Sequence, residues 1–116
     1  MSENNIASAE AYYKAFNDKD PDGIGRRLHS NVQFVAPMGN LIGREAVVKA
    51  AKRLFCLMKS IRIRERFSSG DEVMLVYDLY YGEAGSICQS AVLMNFKDGL
   101  ITTIELFYDA RPFGNF

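Results

Sequence analysis

The chain has 116 residues, of which 48% are hydrophobic and 24% charged, and its acidic and basic side chains cancel to a formal net charge of zero. That size and balance predict one domain over residues 1–116 with a hydrophobic core of its own, and they carry no basic footprint for nucleic acid. No apolar run approaches the ~20 residues of a membrane span, the start Met1–Asn5 is polar rather than leader-like, and the two cysteines, Cys56 and Cys88, lie in apolar contexts that suit buried free thiols; together these predict a cytoplasmic protein.

Ser2, Asn4 or Asn5 can cap a first helix running from Ile6 to Asn17, in which Ile6, Ala9, Tyr13 and Phe16 form one apolar stripe widened by Tyr12. Pro21 stops that helix and suits the first position of a second, with Asp20 as its N-cap. The second helix is expected to carry Ile24 and Leu28 inward and to end near His29-Ser30-Asn31, where His29 would cap carbonyls. Val32–Ala36 reads as a short strand ended by Pro37, and Met38–Gly43 as a loop. A third helix is expected from Arg44 to Lys59, with Val47, Val48, Ala51, Leu54, Phe55 and Met58 on its apolar face.

Ser60–Phe67 reads as a strand whose Arg62, Arg64 and Arg66 share one face by the two-residue period. The stretch from Glu72 to Asp109 then forms a meander of three strands, Glu72–Tyr81, Ser86–Phe96 and Leu100–Tyr108, rich in β-branched and aromatic residues. Gly82–Gly85 makes one turn and Lys97-Asp98-Gly99 the other, Gly99 supplying the positive φ of a bulged hairpin. Helices followed by a run of strands predict an α+β fold, with three helices packed on one side of a curved, mainly antiparallel sheet.

Pairing Tyr81 with Ser86 and Phe96 with Leu100 assigns the two faces of the meander. The face toward the helices collects Val73, Leu75, Tyr77, Leu79, Tyr81, Cys88, Ser90, Val92, Met94, Thr102, Ile104, Leu106 and Tyr108. The other face collects Met74, Val76, Asp78, Tyr80, Ile87, Gln89, Ala91, Leu93, Thr103, Glu105 and Phe107. A solvated sheet face should read polar, and this one is about half apolar, which predicts sheet-on-sheet association of two copies. Asp78 and Glu105 are available there to pair with the arginines of Ser60–Phe67, within or between chains.

The order of elements, with Ala11-Tyr12-Tyr13, Phe16-Asn17-Asp18-Lys19-Asp20, Leu28-His29-Ser30-Asn31-Val32, Ala36-Pro37-Met38-Gly39, Ile42-Gly43-Arg44-Glu45-Ala46, Met94-Asn95-Phe96-Lys97-Asp98-Gly99-Leu100-Ile101 and Phe107-Tyr108-Asp109, resembles the NTF2-like, cystatin-like α+β barrel superfamily, and more narrowly its SnoaL-like and ketosteroid-isomerase-like members. The resemblance covers nearly the whole chain. It implies a sheet wrapped into a cone around an apolar pocket that the helices close. It also implies where isomerase machinery would sit: a carboxylate base just before the Pro-x-Gly, a tyrosine donor on the first helix, and a protonated acid on the middle strand of the meander. In this sequence those positions hold Ala36, Tyr12 and Val92. A methyl or isopropyl group cannot carry a proton, so the standard acid–base set is missing.

The expected pocket is lined by Tyr12, Phe16, Phe34, Ala36, Met38, Phe55 and Met58 from the first half of the chain. The meander adds Leu75, Tyr77, Tyr81, Ser90, Val92, Met94, Ile104 and Tyr108. Several hydroxyls among aromatic and methionine side chains suit a flat, apolar small molecule with one or two oxygens. Tyr12, Glu105 and His29 are the candidates for catalysis. Glu105 is expected to point outward, and a one-residue slip of register would turn it in. No spacing of histidines and acids indicates a metal, and no cofactor is implied. The leading expectation is a small-molecule-binding protein that acts as a homodimer, without nucleic acid or membrane. The alternatives are a ketosteroid-isomerase-like or polyketide-cyclase-like enzyme with a non-standard acid/base set, and an interaction module using the open sheet face.

Overall fold

The computed structural model describes residues 2–113. Three helices, α1 (Ser2–Asn17), α2 (Pro21–Gly25) and α3 (Arg44–Phe55), lie against a sheet of six strands. The strands are β1 (Leu28–Ala36), β2 (Gly39–Ile42), β3 (Met58–Ser69), β4 (Glu72–Tyr81), β5 (Ser86–Lys97) and β6 (Leu100–Tyr108). Their order across the sheet is β2-β1-β6-β5-β4-β3. Only β1 and β6 run parallel; the other neighbours are antiparallel.

The β4–β5 register pairs Tyr81 with Ser86 and Leu75 with Val92, as the turn predicts. The β5–β6 register differs. Lys97 pairs with Leu100, so the turn is the two residues Asp98 and Gly99, both at positive φ (53° and 81°). Two consecutive left-handed residues make a hairpin turn whose twist matches the strands, and Asp tolerates that conformation. A bulge then leaves Thr102 unpaired between Ile101 and Thr103, and its hydroxyl donates to the Asn95 carbonyl at 3.1 Å. The shorter turn and the bulge each displace the register by one residue. Their sum keeps the parity, so Ile104, Leu106 and Tyr108 still share a face with Met94, Val92 and Ser90.

The boundaries depart from expectation in several places. α1 already begins at Ser2, four residues before the expected Ile6, so Asn4 and Asn5 lie inside the helix instead of capping it. α2 stops at Gly25, because Leu28 is claimed by β1, which pairs Leu28 with Ile101. His29 therefore sits on a strand, its Nδ1 accepting the Asn31 backbone N–H at 3.0 Å, and caps no helix. Gly39–Ile42, expected as loop, pairs back on β1 across a tight Pro37-Met38 turn. α3 ends at Phe55, and Met58 belongs to β3 opposite Tyr81; its apolar side chain continues the helical period past the true end.

Bulges at Lys59 and Arg64 break the expected row of arginines on β3. Arg62 pairs opposite Asp78 on the outer face, whereas Arg66 pairs opposite Leu75 and reaches Glu10 of α1 on the helix side. Arg64 turns its guanidinium to Asp78, 3.2 Å away. Asp78 is only 8% exposed, so that ion pair is what lets a carboxylate sit on the sheet. Asn17, the last residue of α1, acts as a surrogate strand partner: its amide donates to the Ile61 carbonyl (2.9 Å) and accepts the Ile61 N–H (2.7 Å). This staples the helix to the otherwise open edge of β3. Leu75, Val92, Met94, Ile101 and Ile104 are buried between sheet and helices, joined by Tyr12, Ile24, Leu28 and Val32.

Candidate functional site

Between α1, α3 and the concave side of the sheet lies a cavity of about 310 Å³. α1 contributes Tyr12, Tyr13 and Phe16, which fall on one helical face at one- and three-residue steps. α3 covers the opposite wall with Val47, Ala50, Ala51 and Leu54, continued by Leu57. The β1–β2 hairpin supplies Phe34, Met38 and Leu41. From β3 to β6 come Ile61, Tyr77, Leu79, Cys88, Ser90, Leu106 and Tyr108, and Phe113 closes the rim after the last strand. No lining residue is an aspartate, glutamate, histidine, lysine or arginine.

The hydroxyls are not scattered. Register places Tyr77 beside Ser90 and Ser90 beside Tyr108, one row across β4, β5 and β6. The Tyr13 ring packs on Tyr77, centroids 4.8 Å apart. The Ser90 hydroxyl donates to the Cys88 carbonyl, 3.4 Å away, and the Cys88 Sγ lies 3.7 Å from the Ser90 Oγ. Tyr12 stands edge-on to both Tyr13 (5.0 Å) and Phe16 (5.1 Å).

Burial governs the ionisation of this group. The Tyr12 and Tyr13 hydroxyls are pushed well above the ordinary tyrosine range by burial first and by proximity to Tyr77 second. Tyr77 is pushed up to about 12 by burial, and the hydrogen bonds it receives from Tyr13 and Ser90 pull it part of the way back. Tyr108 is raised by burial and then by Cys88. At neutral pH all four are uncharged donors, and the cavity contains no base to accept a substrate proton.

Of the residues expected in the pocket, Tyr12, Phe16, Phe34, Met38, Tyr77, Ser90 and Tyr108 line it. Leu75, Val92, Met94 and Ile104 lie deeper and are filled core, and Met58 is buried at the start of β3. Phe55 packs edge-on against Phe16 from behind, Tyr81 is drawn onto Phe113 (5.0 Å), and Ala36 sits at the end of β1 opposite Gly39. The positions of the isomerase base and second acid are therefore an alanine at a hairpin and a buried valine. Glu105 is exposed on the outer face between Leu93 and Val35, away from the cavity. Cys56 is exposed just beyond α3 rather than buried, and Cys88 is buried at the cavity wall.

The expected lining left out Tyr13, Leu41, Val47, Ala50, Ala51, Leu54, Leu57, Ile61, Leu79, Cys88, Leu106 and Phe113. Tyr13 is on the recognised stripe; Leu41 and Leu57 fall in segments read as loop and helix. Phe113 follows the last strand, where no periodicity places it. Among the described residues no group of three or more His, Cys, Asp or Glu side chains is placed to hold a metal ion, and no helix is long and apolar enough to cross a membrane.

A cone of curved, mostly antiparallel sheet closed by three helices over an apolar hollow defines the NTF2-like class. Within it, the chain belongs to the SnoaL-like domain family, whose model matches residues 9–104. Among solved structures it resembles an NTF2-like protein of unknown function from Cytophaga hutchinsonii ATCC 33406 (25% identity, TM-score 0.82, 93% of this chain and 92% of that one). It also resembles a putative ketosteroid isomerase from Kribbella flavida DSM 17836 (16%, 0.84, 93% and 79%). A third is TerC co-crystallized with polyporic acid (23%, 0.81, 95% and 95%). No curated protein matches the chain.

Proposed function

We propose that the chain binds an apolar small molecule in its cone and holds it with neutral hydroxyl donors. The observation that carries this is the composition of the wall: 310 Å³ bounded by aliphatic and aromatic side chains with a cluster of tyrosine and serine hydroxyls and no charge. Pockets of ~300–1,000 Å³ with a few placed polar groups are the ordinary form of small-molecule sites. That TerC, of the same fold, was crystallised with a small organic molecule supports the reading. The wall lacks the charged acid and base that proton-shuttling chemistry uses, which weighs toward binding over isomerisation. The test is a titration of aromatic ligands followed by tyrosine fluorescence, the chain having no tryptophan. Ala50→Phe, which fills the hollow from α3, should abolish saturable binding; equal binding by that variant overturns the proposal.

A second reading rests on the outer sheet face. Phe67, Ile87 and Phe107 are 55%, 51% and 49% exposed, far more than scattered surface hydrophobics on one face need be. We infer that a second copy of this chain covers them. Arg62 and Glu105 share that face, so a two-fold axis can set the cation of one copy against the acid of the other. Sedimentation at micromolar concentration should show a dimer that Phe107→Lys dissociates. A monomeric parent protein refutes it.

A further inference from the structure

Resting on the small-molecule reading, we propose that the cone takes an uncharged, two-ring-sized molecule bearing one hydrogen-bond-accepting oxygen, with that oxygen on the Tyr77 hydroxyl and its apolar body beneath α3.

Size comes first. An engineered apolar cavity of ~150 Å³ holds one benzene ring. The cone, at about 310 Å³, is about twice that, room for two fused rings and too little for four. Charge comes next. A carboxylate or an ammonium ion in this hollow meets no lining side chain of opposite sign. An ion stripped of water without a partner is strongly disfavoured, so the occupant is neutral.

Direction follows from the row of hydroxyls. The Ser90 hydroxyl donates to the Cys88 carbonyl at 3.4 Å, and its register neighbours Tyr77 and Tyr108 flank it along the sheet floor of the hollow. Tyr77 is the buried one of the two, 5% exposed, and its hydroxyl is the donor set deepest in that row for a ligand oxygen. Tyr108 lies one register step beyond Ser90 and can second the same oxygen at the rim. The wall opposite this row, Val47, Ala50, Ala51 and Leu54, offers only methyl and methylene groups. A ligand with a carbonyl at one end and hydrocarbon at the other fits in one orientation. Tyr12, the residue that matches the family's tyrosine donor, serves in this scheme as an aromatic wall.

The probes are 1-tetralone, its hydrocarbon analogue tetralin, 1-naphthoate and the four-ring ketone progesterone, each titrated by calorimetry and ligand-observed NMR at neutral pH. Tetralone should bind at least tenfold more tightly than tetralin and than naphthoate, and progesterone should not saturate. Tyr77→Phe should remove the tetralone advantage, about tenfold, while leaving tetralin unchanged. The infrared carbonyl band of bound tetralone should shift to lower frequency in the parent protein and not in the variant. The ketone–hydrocarbon comparison in the parent protein stands even where Tyr77→Phe does not fold. Equal binding of tetralone and tetralin, or tighter naphthoate, overturns the proposal and leaves the pocket intact. Progesterone binding while the bicyclic probes do not overturns the size argument alone. No saturable binding by any probe overturns the small-molecule reading itself.

Discussion

Alkaline pH is a direct probe of the tyrosine cluster. In an unfolded chain Tyr77 titrates near 10, whereas in the folded protein burial holds it up to about 12. Below the unfolded value both states keep the proton, and the contribution of this group to stability is fully present. Between the two values the unfolded chain has lost the proton that the folded chain retains, so stability falls as pH rises and the loss is complete above the folded value. A displacement of about two pH units corresponds to ~3 kcal/mol, at about 1.4 kcal/mol per unit. Tyr12 and Tyr13, raised by the same burial, act in the same direction. Against a total of ~5–15 kcal/mol for a domain, the cluster should bring the protein to unfolding within that window. Urea denaturation at steps from about pH 8 to about pH 12, read with tyrosinate absorbance, measures the slope. Tyr77→Phe should flatten it by ~1.4 kcal/mol per pH unit. Stability that stays level across the window, or a variant with the parent's slope, refutes the assignment of Tyr77 as a buried, neutral hydroxyl.

Other outcomes follow from single contacts. Asn17→Ala removes both hydrogen bonds to the Ile61 backbone and should cost ~1–3 kcal/mol in urea unfolding, with Asn17→Asp recovering part of it through the retained acceptor. Arg64→Met leaves the Asp78 carboxylate unpaired at 8% exposure. Since the Arg64 side chain is itself 41% exposed, the expected loss is ~1–2 kcal/mol, and Arg64→Met with Asp78→Asn should restore most of it. The Asp109 carboxyl is lowered to about 2 by hydrogen bonds from the Arg111 side chain and backbone. Carbon-detected NMR should find it ionised well below the ordinary carboxylate range, and Arg111→Ala should return it there.

The fold was legible because the meander repeats a strict period and its turns carry their own chemistry. Gly82–Gly85 set the β4–β5 pairing, and inward Leu75, Tyr77, Ser90 and Val92 follow from it. What escaped was information held in pairs of distant residues. Nothing local to Leu28 says that it will align with Ile101, so the sequence reads as a longer second helix than the chain forms. Nothing in the alternation of Arg62, Arg64 and Arg66 marks where a bulge interrupts it. The pocket was half legible for the same reason. Alternation separates inward from outward residues, but depth decides which inward residues meet empty space. Val92 and Met94 sit on the same strand and face as Ser90, and only Ser90 reaches the hollow.

Lys59, Arg64 and Thr102, which have no partner in the strand register, carry a consequence for the shape of the hollow. Each adds twist and bend to its strand without itself lining the hollow. Excising Thr102 would leave every β5–β6 partner aligned as before while straightening the wall. The size of the hollow is thus set partly by single-residue insertions at remote bends of the sheet, and the chemistry of its lining by the side chains that face it. The two are separable, so one fold can enclose spaces of quite different bulk behind the same wall.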